Sequence, residues 1–277
     1  MKIFENKKLT TIISAVLLVA ILICAIIFIK QRNTPEYWTG YAMSTTISQT
    51  AYGKNAFDTM RLVQKGLADF EAEMSMYKPD SDIYKLNANA GLGELALSDN
   101  AFNMLKTAQT LEKQSDGAFK ITIAPVTTLW GVNTPTPKVP SAEDLHLAMA
   151  LLNENDLVLN DKTKTATLAK KGEAVDLGGI AKGESCNVAK RIYNENGVKS
   201  AVLSIGGNIY VHGKKPNGEK FKVGFRDPTN TEDSYIASVR LQDTVFAVSG
   251  GYERNFVGSD GKTYHHIIDP ATGYPAV

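Results

Sequence analysis

The sequence predicts an α+β domain, with mixed or antiparallel sheets and packed helices, preceded by one N-terminal transmembrane helix. Three observations carry this expectation. Residues 11–29 are almost wholly apolar between basic flanks, apolar residues recur at helical spacing from Ala56 to Met74, and short alternating runs take over from Asp156. Strands and helices are thus partly segregated along the chain, unlike the regular alternation of a parallel sheet.

The apolar run from Thr11 to Ile29 lies between Lys2, Lys7 and Lys8 on one side and Lys30 and Arg32 on the other. It is long enough to span a bilayer. A cleaved signal peptide would have a shorter apolar region ending in small residues, whereas this one runs into Ile26, Ile27, Phe28 and Ile29. Cys24 follows Ile21, Leu22 and Ile23, without the small residue a lipid-attachment site needs directly ahead of the cysteine. Residues 1–33 are therefore expected to be a membrane anchor and residues 34–277 the folded domain, on the extracytoplasmic side of the cell membrane.

The segment Trp38 to Ala51, rich in threonine, serine and aromatics, suits a strand. From Ala56 to Met74, Phe57, Met60, Val63, Leu67, Phe70 and Met74 line one helical face, and that helix should stop near Pro79. A second helix runs from about Asn100 to Gln114, with Leu105, Ala108 and Leu111 inward and Ser98 or Asp99 as its N-cap. The three prolines between Asn133 and Pro140 enforce a loop, a candidate lid or subdomain boundary, after which Ser141 with Glu143 and Asp144 opens another helix. Strands are expected at 157–159, 165–168 and 174–176, a helix at 184–194, and strands again at 201–204, 208–212, 221–225, 234–240 and 244–248.

Composition narrows the function classes. With 43% hydrophobic residues in 277, the chain can bury a sizeable core. Thirty basic against 29 acidic residues leave +1, with no basic cluster, which argues against a nucleic-acid partner. Only Cys186 remains beyond the apolar run, so that region can form neither an internal disulfide nor a cysteine zinc site. Cys186 reads as a buried small hydrophobe.

The run from Val175 to Gly183 is the most informative stretch: Asp176, the pair Gly178-Gly179 and Lys182, at the mouth of a helix. Glycines let the main chain bend and expose its polar groups, and a lysine near helix amides attracts phosphate. A carboxylate and main-chain carbonyls are oxygen ligands of the kind magnesium prefers. The plain alternative is a strand-to-helix turn capped by Asp176. Neither Gly-x-x-x-x-Gly-Lys-Ser/Thr nor Gly-x-Gly-x-x-Gly after a strand is present, so common nucleotide fingerprints do not explain the run. Far downstream, His265 and His266 precede Asp269, Pro270, Thr272 and Gly273. Adjacent histidines on a strand face opposite ways, so only one can enter a cleft.

These features come in the order of a known family. Met43-Ser44-Thr45, residues 76–81 with Leu86-Asn87, Gly117-Ala118-Phe119 leading to Trp130 and Gly131, residues 176–183, Gly206-Gly207-Asn208, Ser249-Gly250 with Tyr252, and His266 to Gly273 together resemble the ApbE-like flavin transferases. The resemblance covers nearly all of residues 34–277 and implies transfer of FMN from FAD to a threonine or serine of a target protein. It implies FAD contacts from Met43, Tyr77, Ala118, Phe119, Lys120, Asp176, Lys182, Ser249, His266 and Ile267. It also implies magnesium bound partly by the Gly179 carbonyl, Asp176 and His266 as catalytic groups, and an acceptor flavoprotein of an extracytoplasmic electron-transfer system of bacteria. Two departures stand out. Lys120 occupies a position where the family usually has aspartate, and the family pattern continues beyond Val277 with an aspartate and a threonine that complete the magnesium site, so a fragment or a short form is expected. A magnesium-dependent FAD pyrophosphatase and a non-catalytic, membrane-tethered FAD-binding protein are the competing readings.

Overall fold

The computed structural model describes residues 6–229 and 234–276. Helix α1 (Asn6–Asn33) leads into a hairpin of β1 (Pro35–Ala42) and β2 (Thr45–Tyr52). Helices α2 (Ala56–Met74) and α3 (Asp82–Ala88), strand β3 (Leu95–Ala96), and helices α4 (Asp99–Gln114), α5 (Ala124–Trp130) and α6 (Ala142–Met149) follow. The chain then forms β4 (Leu157–Asn160), β5 (Thr165–Leu168), α7 (Gly178–Glu195), β6 (Ser200–Ile205) and β7 (Asn208–Gly213). Strands β8 (Phe221–Arg226), β9 (Tyr235–Leu241), β10 (Thr244–Ala247), β11 (Asn255–Val257) and β12 (Thr263–His265) complete it.

Every described strand pairing is antiparallel: a five-stranded sheet in the order β1-β2-β6-β7-β10, a three-stranded sheet β3-β5-β4, and the ribbons β8-β9 and β11-β12. The α+β expectation holds. Helices α2 and α7 cover one face of the large sheet, burying Met60, Val63, Leu67, Ala189 and Tyr193 against Ile47, Ala51, Leu203 and Ile205. Each large side chain so buried contributes about 1.5–3 kcal/mol. The ends of α2 and α7 reach a second core with α3, α4 and the three-stranded sheet, built on Phe70, Met74, Ile83, Leu86, Leu105, Leu168 and Val175. A third, smaller core joins Val126 and Trp130 of α5 to Leu145 and Ala148 of α6, with Phe256, Tyr264 and Ile268 packed on it.

In α1 the segment Thr10–Ile27 is long and apolar enough to cross a membrane, and none of it is buried against the domain. The predicted helix faces hold with two changes. Phe57 is 44% exposed and packs edge-on against Trp38, and the inward position at the end of α4 belongs to Glu112, 2% exposed, rather than to half-buried Leu111. Ser98 and Ser141 are the caps, each accepting a main-chain N–H from Ala101 and Asp144 respectively. Cys186 is buried.

Four expectations need correction. Trp38 to Ala51 is not one strand but most of the β1–β2 hairpin, reversed at Met43 and Ser44 with φ of 56° and 55°. Asn-Gly or Asp-Gly usually marks such a turn, and its absence hid the reversal. Residues 174–176 pair with no strand, because the Asn87 side chain takes the neighbouring strand's part: Val175 N–H donates to Asn87 Oδ1 (2.8 Å) and Asn87 Nδ2 donates to the Val175 carbonyl (3.0 Å). Helix α7 begins at Gly178, six residues before the expected start, its first turns disguised by glycines of low helix propensity. Helix α2 stops at Met74, short of Pro79, and α3, capped by Ser81, begins just beyond that proline.

Candidate active site

The three cores meet at an open cleft of about 490 Å³, within the size range of small-molecule sites. All eleven residues nominated from the sequence line it: Met43, Tyr77, Ala118, Phe119, Lys120, Asp176, Gly179, Lys182, Ser249, His266 and Ile267. They arrive from the hairpin turn, the loop after α2, the segment after α4, the start of α7, the end of β10 and the stretch after β12.

Asp176 is fixed before it meets any ligand. Its main-chain N–H donates to the Ile121 carbonyl (2.9 Å), Oδ1 accepts from Gly178 N–H (2.7 Å), and Oδ2 accepts from Thr127 Oγ1 (3.3 Å). The capping role and a role in the cleft therefore coexist. Thr127, from α5, was not evident in the sequence because a threonine inside a short helix carries no signal of its own. A Cβ added to Gly179 would lie 3.1 Å from Phe119 Cε2, so glycine lets that ring seat against the helix start. Gly207, at φ +85°, would place a Cβ 2.9 Å from the Val248 carbonyl, which its own carbonyl accompanies by accepting Val248 N–H (3.1 Å). That close approach ties the β6–β7 turn to the wall carrying Ser249.

The charge reversal at Lys120 has a structural counterpart. Lys120 Nζ lies 2.7 Å from Glu112 Oε1, with the lysine side chain 15% and the glutamate 2% exposed. Glu112 Oε2 also accepts Ile121 N–H (3.3 Å). The positive charge is thus directed at a buried carboxylate of α4 behind the cleft lining. An isolated glutamate on a helical face gave no sequence signal for this pairing.

Lys182 sits within the first two turns of α7. Burial, then the Arg254 guanidinium, pulls its ammonium below the ordinary lysine range, opposed by Asp176. Burial followed by Asp176 raises the Tyr77 phenol, although much of that residue faces solvent. Only His266 of the histidine pair lines the cleft, as strand geometry anticipated. Its main-chain N–H and its Nδ1 lie 3.1 and 3.2 Å from the Arg254 carbonyl. A carbonyl can only accept, so Nδ1 carries the proton and Nε2 the lone pair. Burial lowers the His266 pKa below 6.5, with the charges of Arg254, Lys182 and His265 acting in the same direction and the Arg254 carbonyl against it. His265 instead donates from Nε2 to the Ala276 carbonyl (2.9 Å) and accepts Ile267 N–H at Nδ1 (3.2 Å).

The polar cluster after His266 is turn chemistry. Asp269 Oδ1 accepts Ala271 N–H (2.9 Å), the Asp269 carbonyl accepts Gly273 N–H (2.8 Å), and Asp269 N–H donates to the Tyr274 carbonyl (2.8 Å). Trp130 Nε1 donates to the Gly273 carbonyl (2.7 Å), anchoring this turn to α5. Among the described residues no three His, Cys, Asp or Glu side chains converge as a metal site. Each Asp176 oxygen accepts one hydrogen bond and keeps a further lone pair, so Asp176 and the Gly179 carbonyl could supply part, and only part, of a six-oxygen magnesium shell.

The ApbE family model matches residues 43–277. The chain is 32% identical over 215 residues to a Haemophilus influenzae protein named FAD:protein FMN transferase, covering 76% of this chain and 62% of that protein. Across the first four curated relatives it matches, the chain spans 60–64% of their length. The fold is similar to that of the ApbE protein of Thermotoga maritima (TM-score 0.81, 27% identity, 88% of this chain and 79% of that one). It is also similar to the flavin transferase ApbE of Vibrio cholerae (TM-score 0.77, 25% identity, the same coverages). A family match running from the hairpin turn at Met43 through the histidine segment takes in every residue that lines the cleft, and the chain belongs to the ApbE family.

Proposed function

We propose that this protein transfers FMN from FAD to a threonine or serine hydroxyl of a target flavoprotein through a phosphoester bond, releasing AMP. The observation that carries the reading is the convergence, in one cleft, of Lys182 with a His266 ring whose Nε2 holds a lone pair. Relatives named FAD:protein FMN transferase support it. The acceptor hydroxyl attacks the phosphorus on the FMN side, the pyrophosphate P–O bond to AMP breaks, and the hydroxyl proton passes to His266 Nε2. Lys182 offsets phosphate charge, and Asp176 orients the ligand at the start of α7. Tyr77 and Met43 offer an aromatic and a thioether contact for the flat flavin ring.

Magnesium enters this reading through the resemblance, with the Gly179 carbonyl as one oxygen ligand. The described residues do not complete its shell, and each role above belongs to a group of the chain itself. We further propose α1 as an anchor in a bacterial cell membrane, with the domain extracytoplasmic and its acceptor an electron-transfer flavoprotein there; the length and apolarity of Thr10–Ile27 support the anchor.

The test is to incubate the full chain in mild detergent with FAD, magnesium and a threonine-bearing acceptor, following acceptor mass and AMP. Covalent FMN with stoichiometric AMP is expected. AMP with an unmodified acceptor would make the protein a pyrophosphatase, and bound FAD with no AMP would make it a binding protein.

A further inference from the structure

Arg254 carries no role in the reading above, yet it touches three walls of the cleft. It lies half-buried just before β11. Nη2 donates to the Ser44 carbonyl (2.8 Å) in the hairpin turn, and Nη1 donates to Asn133 Oδ1 (3.2 Å) in the proline-rich loop. Its own carbonyl holds both His266 N–H and His266 Nδ1. Two of these attachments are unusual in what they restrain. Met43 and Ser44 both sit at left-handed φ, a conformation that non-glycine residues avoid and that persists only where surrounding contacts impose it. The Asn133 loop contains three prolines by residue 140, so its backbone makes few ladder bonds of its own.

We propose that Arg254 is the positioning residue of this cleft: its guanidinium fastens the Met43–Ser44 turn and the Asn133 loop to the segment whose carbonyl sets the His266 ring. The planar, multi-donor guanidinium matches two acceptors on separate segments, which a lysine ammonium on a flexible stem does not reproduce. Met43 and His266 lie at distant points of the sequence and must face the same substrate, so a single residue bonded to both neighbourhoods fixes their separation. The catalytic consequence rests on the transferase reading, whereas the mechanical one does not.

The test compares the full-length wild type with R254A, R254K and N133A. Without ligand, amide hydrogen exchange at residues 43–45 and 133–134 is expected to rise about tenfold or more in both R254A and R254K, the scale of a lost charge-assisted bond. N133A is expected to loosen 133–134 while leaving 43–45 protected. In transfer assays R254A is expected to lose kcat by about tenfold or more with a smaller change in FAD affinity, because misplacement of reacting groups costs rate before binding. Guanidinium ion added to R254A is expected to restore part of kcat, and R254K is expected to stay impaired. Unchanged exchange at 43–45 in R254A would overturn the proposal, as would a loss confined to FAD affinity with kcat intact, which would make Arg254 a ligand contact. A wild type that transfers no FMN defeats the transferase reading alone and leaves the exchange measurements decisive.

Discussion

Replacing Trp130 with phenylalanine should unfold the protein at a distinctly lower temperature. Trp130 is fully buried and donates Nε1–H to the Gly273 carbonyl at 2.7 Å. Phenylalanine keeps an aromatic ring but not the donor, so a buried carbonyl loses its partner at a cost of about 1–3 kcal/mol. The larger indole also meets Tyr264 and Tyr274 at centroid distances of 5.1 and 5.4 Å, geometry that the smaller ring cannot keep in full. Each such aromatic pair is worth about 0.5–1.5 kcal/mol beyond its area. The combined loss is then roughly 2–4 kcal/mol, and at about 2–4 °C per kcal/mol for a domain of this size the Tm should fall by roughly 4–16 °C. Differential scanning calorimetry of both proteins without FAD measures this directly. A Tm within about 2 °C of wild type, below that range, would refute the argument, because it would mean that the Gly273 carbonyl finds another donor and the turn after His266 does not depend on α5.

Asp176→Asn should retain an oxygen acceptor for Gly178 N–H, whereas Asp176→Ala should lose cap stability of about 0.5–2 kcal/mol. Both should lose FMN transfer, and an Asn variant of wild-type activity would remove the carboxylate charge from the mechanism. The His266 pKa lies below its ordinary value because of burial first, so its base form should persist below pH 6.5 and the rate should fall only as pH drops through the lowered value. The same shift works on stability: between the unfolded value near 6.5 and the lower folded value the unfolded chain binds more protons, so stability should decline as pH falls below 6.5. Urea midpoints of wild type and His266→Leu at pH 7.5 and 5.5 check this, with a smaller acid loss expected in the variant. Cys186, whose thiol is pushed up to about 12 by burial and then by Glu184, should resist iodoacetamide at pH 8 in the folded state and react after denaturation, as peptide mapping of the alkylated protein would record.

The helices that bury one clean apolar face were legible in the sequence, as α2 shows with Met60, Val63, Leu67, Phe70 and Met74 all inside. Elements that rest on tertiary partners were not. The hairpin reversal at Met43-Ser44 lacks turn residues, and the stretch before Asp176 looks like a strand because it is a short apolar run. Its partner is a side chain on α3, 88 residues away. At the cleft, residues belonging to glycine-rich or histidine-bearing motifs could be named in advance. Thr127 and Arg254 could not, because each acts through a contact with a residue distant in sequence, and Glu112 could not, because its pairing with nearby Lys120 depends on how the chain turns after α4. Conversely, Asp269 and Thr272 look chemical in the sequence but serve the turn that Trp130 anchors.

The bond between Arg254 and Ser44 joins groups 210 residues apart. On a ribosome adding about 5–20 residues per second, roughly 10–40 s pass between synthesis of one partner and the other. The large sheet can begin to assemble earlier, but the hairpin turn must wait without its strut while β6 pairs with β2 and β7 with β6. On the transferase reading, a flavin nucleotide would therefore have no complete cleft to enter until almost the whole of residues 43–270 has been made. Capture of FAD by a nascent chain would serve as a clock for the final stage of folding.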